Sequence, residues 1–124
     1  MINLLAIALG GALGAVLRYG ASNLVYSWAG RDYPWGTLAV NGVGSLLMGF
    51  LFVLLVQRWA VPDAVRGLLL VGVLGGFTTF STFSMETVNL LLGGRFIAAL
   101  LNVLVSVLLC VLAAAIGVAA ARLV

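Results

Sequence analysis

Apolar residues fill this chain in four long stretches, approximately residues 2–27, 35–56, 65–92 and 96–121, with few charges inside any of them. Each meets or exceeds the roughly 20 residues that a helix needs to cross the hydrocarbon core of a bilayer. The connectors are short, residues 28–34, 57–64 and 93–95, and leave nothing over for a soluble domain. The pattern predicts an all-α integral membrane protein, a single four-helix transmembrane domain over residues 1–124. Trp28, Tyr33, Trp35 and Trp59 fall near the span ends, where amphipathic rings favour the headgroup zone. The first span does not read as a secretory signal: no Lys or Arg precedes Arg18, and its apolar run is too long.

Composition agrees and narrows the chemistry. Charged residues make up 7% of the chain and hydrophobic ones 65%, whereas a soluble domain carries about 25% charge. With no histidine and one cysteine, Cys110, neither a usual zinc or haem ligand set nor a Ser-His-Asp or Cys-His arrangement can form. An enzyme is not expected. The net charge of +3 comes from scattered arginines, which form no nucleic-acid footprint.

Those arginines also bear on orientation. Four spans place the N-terminus, the second connector and the C-terminus on one face, with Arg58, Arg66 and Arg122. The other face receives Arg31, Arg95 and, if it reaches out, Arg18. Loop arginines set orientation, and so even a split permits insertion both ways and pairing as an antiparallel, dual-topology homodimer. Four short helices have little interior for a pathway, which is a second reason to expect oligomers. The small-residue pairs Gly10/Gly14, Ser45/Gly49 and Gly72/Gly76 mark faces of close helix approach.

The third span departs from the Leu/Ala/Val/Gly of the others with the run Gly75-Gly-Phe-Thr-Thr-Phe-Ser-Thr-Phe-Ser-Met-Glu86. Adjacent glycines followed by hydroxyl residues at mid-membrane depth fit a helix broken near its middle, which would expose C=O groups before the break and N–H groups after it. In lipid, that is tolerable only where the backbone is buried in protein or lines a cavity, and such ends commonly face ions. The same run also fits an intact helix whose hydroxyls bond back to preceding carbonyls. Phe80 and Phe83 share a helical face, either as packing or with their electropositive ring edges turned to an anion.

Neutral donors recur on the neighbouring spans. Thr37, Asn41 and Ser45 lie four apart on the second, and Asn102, Ser106 and Cys110 repeat that spacing on the fourth. Each stripe alone reads as interhelical glue; together with the Phe/Thr/Ser stripe they favour a narrow polar path. Arg18, about two turns inside the first span, can snorkel to the interface or form an electropositive vestibule. Glu86 is either a proton- or cation-coupling group or a structural partner.

The third-span run, together with Gly11-Ala-Leu-Gly-Ala-Val-Leu-Arg-Tyr19 and Gly36-Thr-Leu-Ala-Val-Asn-Gly42, resembles the CrcB/Fluc fluoride channels across all four spans. The resemblance implies a small bacterial inner-membrane protein that exports toxic cytoplasmic fluoride passively. It also implies an antiparallel dimer with two pores and a buried structural sodium ion at its centre. By position it places Phe80 and Phe83 in a phenylalanine box, and Asn41, Ser81, Thr82 and Ser106 along the fluoride path. Thr37 and Glu86 would contribute, and the carbonyls of Gly75 and Thr78 from both subunits would hold the sodium. Arg18 matches the family's first-span arginine. Many relatives have a tyrosine where this chain has Asn102 and a hydroxyl residue where it has Cys110.

The implied partners are fluoride, the bilayer and a second copy of the chain. The rival reading is a small multidrug-type proton-coupled exporter, also of four spans, which wants a carboxylate in the first span; residues 2–27 contain none. A non-transporting scaffold would explain the packing glycines but not the polar stripes.

Overall fold

A computed structural model describes all residues 1–124 and is entirely helical. The first span is α1 (Ile2–Ala29), the second α2 (Trp35–Phe52), which continues as a π-helical turn over Val53–Arg58. The third is split. Its first half, α3, runs through Asp63–Arg66, a π-helical stretch Gly67–Leu74 and a last turn Gly75–Phe77. Its second half is α4 (Phe80–Leu92), and the fourth span is α5 (Phe96–Leu123). All four spans are long and apolar enough to cross a membrane, and their limits lie within about two residues of those read from the apolar runs. The protein is a multi-pass membrane protein.

Packing follows the small residues, because lipid tails offer no hydrophobic drive for helices to associate and close backbone contact must supply it. α1 lies along α3, where a Cβ on Gly72 would stand 2.8 Å from the Cα of Gly10. α2 lies along α5, where a Cβ on Gly49 would meet the carbonyl oxygen of Ala114 at 2.1 Å. Gly10, Gly49 and Gly72 are thus contact points, as the small-residue pairs predict. Most large apolar side chains, among them Leu9, Leu101 and Leu108, remain exposed on the outer faces, as suits a chain whose solvent is lipid.

The connectors meet in two groups. Arg95 donates to the carbonyl of Asp32, joining the third connector to the first. At the other end Arg58 donates to the carbonyl of Arg122 at 3.2 Å, joining the second connector to the C-terminus. The arginines therefore divide between the two ends as their order along the chain predicts. The only ion pair is local, Arg66 with Asp63.

Candidate functional site: the break in the third span

The break falls at Thr78 and Thr79, both extended (φ/ψ −87/160 and −154/123), between α3 and α4. Thr78 still closes the last turn of α3 on Leu74, through its amide at 3.0 Å and its hydroxyl at 3.0 Å. Thr79 does not continue the helix. Its N–H donates to Oδ1 of Asn41 at 2.7 Å, and its carbonyl accepts from Nδ2 of Asn41 at 2.9 Å. One side-chain amide on α2 thereby satisfies both peptide groups of the residue at the break, which lipid could not do. Thr79 also caps α4, its hydroxyl oxygen accepting from the Thr82 amide at 3.2 Å. The interrupted helix, rather than the intact one, is what this sequence adopts.

Phe80 and Phe83 follow at once on α4, with ring centroids 5.3 Å apart and planes tilted by 45°. Phe83 is 8% exposed, whereas Phe80, at 76%, stands free. Both line an open groove of about 380 Å³ together with Asn41, Ser45, Ser106 and Cys110. No residue lining this groove is charged. It thus brings together both phenylalanines and two of the anticipated pathway residues, Asn41 and Ser106, and adds Cys110 and Ser45 from the same stripes.

Of the remaining candidates, Thr78 also lines the groove and the others lie outside it. Thr37 and Glu86 meet directly, the Thr37 hydroxyl donating to Oε1 of Glu86 at 2.8 Å. Arg18 and Thr82 line a separate cavity of about 280 Å³ that also touches Thr37 and Thr79. Arg18 makes no ion pair. Ser81 is exposed, its hydroxyl 3.4 Å from that of Thr79. Gly75 begins the last turn of α3, and its carbonyl receives no bond from Thr79, whose N–H has turned to Asn41.

Two residues stand apart from the sequence-based expectation. Asn102, read as part of the fourth-span stripe, is only 1% exposed and does not line the groove. Its Nδ2 donates to the Thr87 hydroxyl at 2.9 Å, which in turn donates to the Phe83 carbonyl at 2.8 Å. It is the glue between α4 and α5. Asn102→Leu, nearly equal in volume, is expected to lower stability in detergent by about 1 kcal/mol, the scale of an interhelical hydrogen bond; unchanged thermal unfolding would refute that role.

The other is Tyr26, whose hydroxyl donates to Oε1 of Glu86 at 3.0 Å. Its place near the end of a long apolar run looks like that of any belt aromatic, and only the 60-residue separation from Glu86, closed by the fold, gives it a partner. Tyr26 and Glu86 border a cavity of about 440 Å³ at the connector end, with Arg31, Tyr33 and Arg95. Burial raises the Tyr33 phenol above its ordinary value.

Four apolar helices, a third span broken near its middle and an uncharged groove of amide, hydroxyls and phenyl rings define a polytopic membrane protein with a polar groove at the break. The chain belongs to the CrcB family: the family model described as "CrcB-like protein, Camphor Resistance (CrcB)" matches residues 5–118. A "Fluoride-specific ion channel FluC" of Magnetococcus marinus is 61% identical over 118 residues, covering 95% of this chain and 96% of that protein. One of the same name from Coxiella burnetii is 51% identical over 122 residues, 98% of each chain. A third, from Methylococcus capsulatus, is 53% identical over 121 residues, 98% of this chain but 53% of that longer protein.

Proposed function

We propose that this chain is a fluoride-selective channel through which fluoride leaves the cytoplasm passively across the bacterial inner membrane, relieving its toxicity. It belongs to a channel family and is not an enzyme. The observation that carries the reading is the break at Thr78 and Thr79, clamped by Asn41 beside Phe80, Phe83 and Ser106. The names of the relatives, high in identity over nearly the whole chain, supply the ion.

The chemistry of the groove suits a small, strongly hydrated anion. Fluoride must trade its water for donors: the amide of Asn41 and the hydroxyls of Ser45 and Ser106 in the groove, and those of Thr82 in the neighbouring cavity and of Ser81 on the surface beside it, are donors without fixed charge. A guanidinium inside the path would hold the anion too tightly to release it, since conduction requires sites weak enough to leave. The electropositive edges of Phe80 and Phe83 add weak attraction. Arg18, Thr37 and Glu86 border the approaches, with Arg18 raising the local anion concentration in the vestibule.

The groove is open on one side, with Phe80 exposed beside polar groups at mid-membrane depth. Polar groups facing lipid are costly, so a second copy closes it. The arginines divide almost evenly between the two ends, which lets copies insert in opposite directions and pair antiparallel. Two grooves per dimer then give two pores. The carbonyls freed at the break are neutral, hard oxygen ligands, and oxygen donors of that kind fit an alkali cation. Gly75 and Thr78 from both copies would hold a structural sodium ion there, which supplies charge to fix the two breaks against each other.

The test is ion release from liposomes reconstituted with this protein alone. Fluoride release without chloride release is expected. Retention of fluoride together with proton-driven efflux of a lipophilic cation would instead favour a multidrug-type exporter, although α1 offers no carboxylate for coupling.

A further inference from the structure

Glu86 is held in an unusual way. Its Oε1 accepts from both Tyr26, at 3.0 Å, and Thr37, at 2.8 Å, while its Oε2 is buried with no hydrogen-bond partner among the side chains and backbone. Two donors on one oxygen and none on the other fix which way the carboxyl group faces. Thr37 reaches it from α2, one turn below Asn41, so its position is set by the same helix that clamps the break.

Tyr26 reaches it from α1, and the tyrosine is itself seated on two sides. Gly36 supplies the space, since a Cβ there would stand 2.5 Å from Cε2 of the ring. Arg31 covers the ring, its guanidinium carbon 4.8 Å from the centroid. Arg31 is tied down in turn by Asn23, to whose Oδ1 it donates at 2.7 Å. A ring held by packing and by a cation–π contact loses little freedom when its hydroxyl makes a bond, which makes that bond directional.

We propose that Tyr26 is a positioning residue for Glu86: it fixes the carboxyl group at the connector-end mouth of the anion path, where the cavity bordered by Arg31 and Arg95 opens. The proposal rests on the channel reading above. A glutamate side chain free to swing would place an acceptor across the path of an anion; one pinned through Oε1 leaves the mouth open and keeps Oε2 turned into protein. The phenol hydroxyl is the part that does this, because the ring alone makes no polar contact with Glu86.

Two measurements test it, one independent of conduction. Glu86 is the chain's only glutamate, so glutamate labelled with ¹³C at the carboxyl carbon reports this group in solid-state NMR of the protein in liposomes. Tyr26→Phe is expected to move that carboxyl resonance while lowering the unfolding temperature in detergent no more than Asn102→Leu does. Fluoride release by Tyr26→Phe is expected to fall about five-fold, the loss of one directional hydrogen bond. Because Thr37 holds the same oxygen, Tyr26→Phe with Thr37→Val is expected to lose more than the product of the two single losses, and Thr37→Ser, which keeps the hydroxyl, should restore most of the deficit. An unmoved resonance overturns the positioning role, and a moved resonance with undiminished fluoride release overturns its part in conduction. If the unaltered protein releases no fluoride, the channel reading fails on its own, and the resonance still decides whether Tyr26 holds Glu86.

Discussion

Asn41→Leu is expected to abolish fluoride release and to leave a poorly folded protein. The leucine is close in size, so the loss is one of hydrogen bonding. Asn41 donates to the Thr79 carbonyl at 2.9 Å and accepts from the Thr79 amide at 2.7 Å. Removing it orphans both peptide groups at a depth where no bulk water can replace it. At about 1–3 kcal/mol for each buried group left unsatisfied, the cost is roughly 2–6 kcal/mol, a large part of the stability of a small domain. Asn41→Asp separates the two bonds, since it still accepts from the amide but cannot donate to the carbonyl when ionised; an intermediate loss is expected. Liposome flux and thermal unfolding in detergent are the measurements. Wild-type stability and flux in Asn41→Leu would show that the break holds without the clamp.

The second large effect falls on the phenyl rings. Phe80→Ile and Phe83→Ile should each cut fluoride release about ten-fold or more, because an aliphatic side chain has no electropositive edge and the aromatic pair, worth about 0.5–1.5 kcal/mol, is lost with it. The two variants differ otherwise. Phe80 is 76% exposed and packs against little besides Phe83, so its replacement leaves folding intact. Phe83, 8% exposed, also fills space between α4 and its neighbours, and a modest fall in stability accompanies its loss of flux. Size-exclusion profiles matching the unaltered protein would show that the flux change belongs to the path. Unchanged flux in both variants would remove the rings from it.

The spans were legible because the physical cause is local. A helix must satisfy its own backbone in lipid, and the length of an uninterrupted apolar run shows where one fits. The small-residue pairs were legible for a related reason: a missing side chain at helical spacing is a feature of one surface. Gly10, Gly49 and Gly72 all turn out to touch a neighbouring backbone. The break was only half legible. Gly75 and Gly76 with the threonines after them allow either an interruption or an intact helix. The choice is made by Asn41, 38 residues away, which gives Thr79 better partners than a further helical turn would.

The polar stripes show where periodicity stops being informative. Thr37, Asn41 and Ser45 share a face of α2, yet Thr37 turns to Glu86 while Asn41 and Ser45 line the groove. Asn102 shares a face with Ser106 and Cys110 but points into the α4–α5 contact instead. A hydroxyl or amide on a helix has several neighbours within reach, and its spacing does not say which one it bonds. Tyr26 carried no signal at all, because its role depends on Gly36, Arg31 and Glu86 arriving from three other segments.

By itself, then, the sequence determined a four-span, all-helical membrane protein with a perturbed third span, glycine-lined contacts and arginines divided between its two ends. Each of these depends on composition and spacing within one segment. Only the tertiary structure decided that the third span breaks at Thr78 and Thr79, that Asn41 clamps it, that Asn102 is structural, and that Tyr26 and Thr37 share one oxygen of Glu86. The physical reason is the same in every case. A polar group buried in a membrane must find a partner, and the partner it takes is settled by which helices lie side by side.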